Sequence, residues 1–343
     1  MQINNIIISK FIFLLMFVYC DGNSEDFPAK KVDIIKKCSQ LLDSTLLKER
    51  KQGIQIISDL VMEGEKLHEH KDLPFFIPKI YKILQSEESD IPCKKYALRA
   101  IGEIGKKFEV PIEPLCNLLQ NYKFEKDELI IEVGIALTKI EPPPKIAIPF
   151  ILKVLEEDRP NPNDAHCYKH HALFRALEKI GIEEEGITTL CKTIKNPCLS
   201  DYSGILLGKI GEKAIPYLRE LANSKDLGVR ASSIYGLGIM GEKQADVTVP
   251  IICAAFNDSE RVVRIFTMIS LAEVNSKSEL VFLTLDKGLE DTDKEVRLHA
   301  CETILKLKIE EKKDKVKNIL INLAKDRWYD CAASDILKRF FKK

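Results

Sequence analysis

Between residues 74 and 341 apolar side chains recur at i, i+3, i+4, i+7, i+8 and i+11. That spacing gathers them on one stripe of an α-helix. The clearest stretch is 214–241, AIPYLRELANSKDLGVRASSIYGLGIMG. It predicts a short helix entered through Pro216, a turn at Asn223–Asp226, and a second helix from Leu227 to Met240. Proline suits a first helical turn because the N–H it lacks has no partner inside the helix. Gly241 follows, and glycine accepts the left-handed backbone of a helix C-terminus. The second-helix slots are Val229, Arg230, Ser232, Ser233, Gly236, Leu237, Gly238, Met240 and Gly241. They return along the chain with their first position at 93, 129, 169, 199, 229, 263, 296 and 329. The intervals are 36, 40, 30, 30, 34, 33 and 33 residues. A hairpin this small cannot cover its own stripe, so successive hairpins must stack. Small residues at the central slots predict close approach of neighbouring helices. Asn275 stands where other units carry the closing glycine, and Asn also tolerates left-handed geometry.

Three Val-Arg pairs sharpen the pattern: Val229–Arg230, Val263–Arg264 and Val296–Arg297. Each has an acid four residues before the arginine, at Asp226, Glu260 and Asp293. With the LGxxG closures at Leu207–Gly211 and Leu237–Gly241, these residues resemble HEAT repeats, in particular the short HEAT-like form of phycobilisome lyases. The resemblance implies an all-α fold: an α-solenoid, a right-handed superhelix of about eight helical hairpins over 74–343. A degenerate capping helix pair is expected over 32–73. It also implies that Arg230, Arg264 and Arg297 serve an internal Asp–Arg ladder with Asp226, Glu260 and Asp293, since a buried charge needs a partner.

The first residues have a different character. Phe11–Tyr19 is a nine-residue apolar run, FIFLLMFVY, too short to cross about 30 Å of hydrocarbon as a helix. Its length suits the apolar region of a secretory signal. Cys20 follows directly, and DGNSED after it is polar. The arrangement resembles a bacterial lipoprotein signal. It implies a signal peptide over 1–19, acylation of Cys20, a tether over 20–31, and a place in the cell envelope, anchored to a membrane or exported. A cytoplasmic location is the alternative.

Charge removes other readings. The 52 basic and 52 acidic groups balance, and the single tryptophan is Trp328. Nucleic-acid binding wants a cationic surface, so it is not expected. Cys38, Cys93, Cys116, Cys167, Cys191, Cys198, Cys253, Cys301 and Cys331 are scattered without a C-x-x-C pair, and an odd number cannot all pair. They read as small core side chains. In HCYKHH, His166 with His170 and Cys167 with His171 are i,i+4 pairs able to chelate a metal. A metal site wants three or four ligands, and no second cluster supplies them. His170 also falls in the arginine slot of the repeat, so the segment reads as repeat packing and no metal or other cofactor is expected. The insertion DRPNPND at 158–164 is an exposed turn of the kind that contributes to binding in solenoids.

No nucleophile elbow or phosphate loop occurs. The chain therefore reads as a non-enzymatic, monomeric scaffold, exported or lipid-anchored. It would bind a protein or peptide through the concave face formed by the second helices. The alternatives are a lyase- or chaperone-type HEAT-like enzyme acting on a cofactor-bearing protein, or a cytoplasmic scaffold.

Overall fold

The repeating pattern folds as tandem helical hairpins. The computed structural model describes residues 36–63, 73–87, 89–121, 127–157 and 168–341. Every regular element among them is a helix. The expected signal peptide, Cys20, the tether, His166, Cys167 and the 158–164 insertion lie outside the described residues. The chain divides into two compact units between Val110 and Pro111. That division differs from the expected boundary at 73/74, because the hairpin around position 93 joins the preceding helices.

In the first unit, helix α1 covers 36–43 and α2 covers Leu47–Glu63. The hairpin α3 (Ile77–Gln85) and α4 (Ile91–Ile104) follows. Asp90 caps α4 by accepting the Cys93 backbone N–H at 2.8 Å, and α2 packs along α4. Gly105, at the end of α4, keeps a right-handed backbone with φ −64°, unlike the left-handed closure expected there.

The second unit alternates first and second helices. The first helices are α5 (Glu113–Gln120), α7 (Ile148–Glu157), α9 (Ile187–Thr193), α11 (Ile215–Leu221), α13 (Ala245–Ala254), α15 (Glu279–Leu289) and α17 (Lys313–Leu323). The second helices are α6 (Asp127–Lys139), α8 (Tyr168–Ile180), α10 (Ser200–Ile210), α12 (Leu227–Ile239), α14 (Arg261–Val274), α16 (Lys294–Lys306) and α18 (Asp330–Phe341). Each second helix packs on its own first helix and on the second helix of the next hairpin. The unit is thus a run of stacked hairpins with the second helices in one row.

Glycine closes three hairpins. Gly181, Gly211 and Gly241 adopt φ of 84°, 83° and 70°, and Asn275 is left-handed at φ 56°. One 3-10 turn after Gly211 and another after Gly241 lead into the next first helix.

The row of second helices is tight because its contact slots are nearly bare. A methyl group added to Gly204 or Gly208 would collide with the backbone carbonyl of Ser232 or Gly236. Gly134 faces Ala172, and Gly238 faces Ser270, in the same way. Buried hydroxyls then reach across the seam. Ser270 donates to the Ile234 carbonyl at 3.0 Å, and Thr303 donates to the Met268 carbonyl at 2.9 Å. Apolar slots fill the other side: Val229, Val263, Val296, Leu237 and Leu271 are all buried.

Five of the described cysteines are buried within this packing, and burial pushes the Cys38 and Cys301 thiols up to about 12. Cys191 and Cys198 are half-buried. Cys331 departs from the core reading and is exposed. Its counterparts Leu298 and Ile265 are buried.

Gly204→Ala is expected to lower stability by about 1–3 kcal/mol, because the collision is with backbone. Gly228→Ala, whose added carbon would meet only the Asp226 carboxylate at 3.3 Å, should change stability by less than about 0.5 kcal/mol. Urea unfolding followed by circular dichroism distinguishes the two.

Candidate functional site

The arginine ladder is built inside the turns. Arg230 donates through Nη1 to the carbonyls of Ser224 and Lys225, at 2.9 and 3.2 Å. Its other nitrogens hold both oxygens of Asp258 at 2.7 and 3.1 Å. Arg264 repeats the arrangement on the Asp258 and Ser259 carbonyls and on the Asp291 carboxylate, the latter at 2.8 and 3.1 Å. Arg297 keeps the carbonyl pair, Asp291 and Thr292. Each arginine thus clamps its own hairpin turn, and the first two also tie it to the next hairpin.

The acids that do this are not the expected ones. Asp226 and Asp293 instead cap α12 and α16, accepting backbone N–H groups at 2.9 Å and 2.8 Å. Glu260 occupies the cap position of α14 without a side-chain bond to it. The carboxylates of Asp226 and Asp293 are spent on the helix start, whereas the guanidinium of Arg230 or Arg264 lies between its own preceding turn and an acid of the next hairpin. The partners Asp258 and Asp291 were legible as an acid six residues before Arg264 and Arg297.

The same clamp occurs in the first unit. Arg50 donates to the Ser44 and Thr45 carbonyls at 3.1 and 2.9 Å. The pair expected to be degenerate therefore carries a genuine repeat turn, with Arg50 44 residues before Lys94, its counterpart in the unit that starts at Cys93.

Elsewhere the arginine slot holds Lys94, Ile130, His170, Ser200 and Asp330. His170 is buried, and His171 packs edge-on against the Tyr202 ring at 5.0 Å. Among the described residues no three His, Cys, Asp or Glu side chains converge as a metal would need.

The outward side of the second-helix row carries the half-exposed rings of Tyr202, Tyr235 and Phe266, with the buried ring of Phe174 beside the first. Phe174 stacks on Tyr202 at 5.4 Å, and Tyr235 meets Phe266 edge-on at 5.9 Å. His299 occupies the next equivalent position, where burial pulls its imidazole below the usual range against the pull of Glu302 and Glu295. Beside these rings lies a cluster with no sequence signature. Ser200 Oγ donates to Ser232 Oγ at 2.8 Å, and Ser232 Oγ donates to Asp201 Oδ1 at 2.8 Å. The cluster borders a cleft of about 360 Å³ between the starts of α10, α12 and α14.

No family profile and no curated protein matches the chain in sequence. Solved structures match it in fold. A mutant of karyopherin Kap121p superposes with a TM-score of 0.59 at 13% identity, over 86% of this chain and 36% of the other. Kap121p bound to the extreme C-terminus of the protein phosphatase Cdc14p gives 0.58 at 14% identity, with the same shares. The fold is a HEAT-type α-solenoid. The chain spans about a third of the length of these karyopherin chains. The complex of CpcE and CpcF of phycocyanin lyase from Nostoc sp. PCC7120 gives a TM-score of 0.37 at 15% identity, over 73% of this chain and 91% of that one. Among the described residues no helix is long and apolar enough to cross a membrane.

The ladder fixes a pH dependence. Burial raises the Asp258 and Asp291 carboxyls, but hydrogen bonds from Arg230 and Arg264, backbone N–H groups and nearby guanidinium charge outweigh it, so both end below the ordinary 3.8. A depressed carboxyl contributes stability that is complete well above the unfolded value and is lost as pH falls through the folded one. Thermal stability should therefore drop as pH is lowered below about 4. The Asp258→Asn, Asp291→Asn double variant should start lower at pH 7 and lose less on acidification. Asp291→Asn alone is expected to cost about 1.5–3 kcal/mol at pH 7. Melting curves from pH 7 to 2.5 provide the check.

Proposed function

We propose that this chain is a scaffold that binds an extended segment of a partner protein along its second-helix face, from an exported, lipid-anchored position. The observation that carries the reading is the run of half-exposed aromatic rings on that face, from Tyr202 through Tyr235 to Phe266. Aromatic rings give large contact area with few rotatable bonds, which keeps the ordering cost of binding low. The helices beneath them are held against each other by close backbone contacts, so the face is preformed. The superposable Kap121p seated on a C-terminal peptide of Cdc14p supports this use of stacked hairpins.

Photo-crosslinking tests it. A benzophenone amino acid at position 235 or 266 should give partner adducts in intact cells. The same group at Leu283 or Tyr217, exposed on first helices, should not. Adducts confined to positions 217 and 283 would remove the proposal.

The anchoring half of the proposal rests on the apolar run at Phe11–Tyr19 followed by Cys20. Two or more acyl chains on that cysteine suffice for stable membrane attachment. Palmitate fed to the producing cells should label the wild-type chain and spare Cys20→Ser. An unlabelled wild type removes the anchor and leaves the binding face untouched.

A further inference from the structure

The geometry points to the cleft at the starts of α10, α12 and α14 as the seat of a lysine or arginine side chain on the partner segment, a refinement that rests on the scaffold reading above. The cleft exists because three positions depart from the repeat. Gly228 stands where the next hairpin has Val262, Ala231 where it has Ile265, and Ser200 fills the arginine slot. At Gly228 the space is open: an added carbon meets only Asp226.

The hydrogen-bonding capacity left in the cleft selects the occupant. Ser200 directs its hydroxyl proton to Ser232 at 2.8 Å, with the Gly228 carbonyl a second acceptor at 3.3 Å, and Ser232 spends its own on Asp201. Both serines are buried, at 4% and 1% exposure, so the relay is fixed in place. Asp226 has one oxygen engaged by the Val229 N–H. What these side chains still offer is acceptors: lone pairs on Ser200, on Asp201 and on the second oxygen of Asp226. An anionic group would meet two carboxylates. A neutral hydroxyl would satisfy one acceptor. An ammonium or guanidinium brings several donors and the complementary charge.

The walls suit such a side chain as well. Leu227, Val262 and Phe266 are exposed or half-exposed around the opening, an apolar sleeve for a methylene stem. Phe266 also presents a ring to a passing cation. The cleft has one cation of its own, Lys195 on the neighbouring turn. Arg230, whose charge also reaches Asp226, is itself paired with Asp258, so setting Lys195 against Asp226 leaves the charge of Asp201 over. Asp201 is exposed, so that charge faces an arriving ligand. It also reaches one turn along α12: burial, then the charges of Glu273 and Asp201, raises the Tyr235 phenol.

A random dodecapeptide phage library panned on the immobilised full chain tests the inference. Wild type should retain peptides enriched in lysine or arginine. Binding of a selected peptide, read by fluorescence anisotropy, should weaken at least about tenfold in Asp201→Asn. Gly228→Val, which fills the cleft with the side chain found at position 262, should weaken it comparably. Lys195→Glu should tighten it. Circular dichroism of each variant guards against unfolding. Retained peptides without basic enrichment, or affinities unchanged in folded Asp201→Asn and Gly228→Val, overturn the cleft assignment and leave the scaffold reading standing. Retention of no peptide by wild type overturns both.

Discussion

The second helices of the C-terminal unit touch backbone to backbone, and most other features follow from that contact. It requires slots with almost no side chain, which is why Gly204 and Gly208 face the next second helix, Gly236 the preceding one and Gly238 the following one. Once the helices are this close, a serine or threonine hydroxyl can reach a carbonyl of the neighbouring helix, as Ser270 and Thr303 do. The carbonyl is already bonded within its own helix, so the extra bond uses a spare lone pair and leaves nothing buried and unsatisfied. The apolar slots then have a fixed partner surface. Side chains three residues past the first slot, Tyr202, Phe266 and His299, are turned out of the seam onto the free face.

Charge is organised along the same axis. Many cations on the C-terminal unit meet a carboxylate one hairpin away: Lys145 with Glu183, Arg261 with Glu295, Lys312 with Asp286, Lys315 with Glu290. Exposed pairs of this kind contribute at most a few tenths of a kcal/mol to about 1 kcal/mol each. Their consequence is register, since a hairpin slipped along its neighbour would set like charges together. The sequence total of 52 basic and 52 acidic groups matches that pairing. The Arg230–Asp258 and Arg264–Asp291 pairs are different in kind, because they are largely buried and bidentate and also close a turn.

Fold class was legible because helix geometry writes itself into spacing within one hairpin. Positions 229, 232, 233, 236 and 237 lie on one stripe of any helix, whatever surrounds it. Contacts between hairpins were less legible. Arg264 and Asp291 are 27 residues apart, and only the rotation of one hairpin on the next brings them together. The acid nearest in sequence, Glu260, was the natural expectation and is not the partner. The repeat at Arg50 hid for another reason: its spacing to the next turn is longer than any in the array. The Ser200–Ser232–Asp201 cluster was invisible because each residue alone is ordinary, and their meeting depends on helices packed close enough for two hydroxyls to touch.

A repeat array that satisfies its own polar groups has little to offer a partner where the repeat is regular. At Arg230 and Arg264 the guanidinium nitrogens are spent on carbonyls and a carboxylate inside the array. At Ser200 the slot holds a shorter side chain, and the hydrogen bonds an arginine would have made are replaced by a relay that ends on an exposed carboxylate. The departure removes volume and leaves acceptors unpaired at the same point. Positions where a solenoid breaks its own rule are therefore where its chemistry is available. In this chain the rule is broken, with open space left beside it, where α10 meets α12, next to the half-exposed rings of Tyr202, Tyr235 and Phe266.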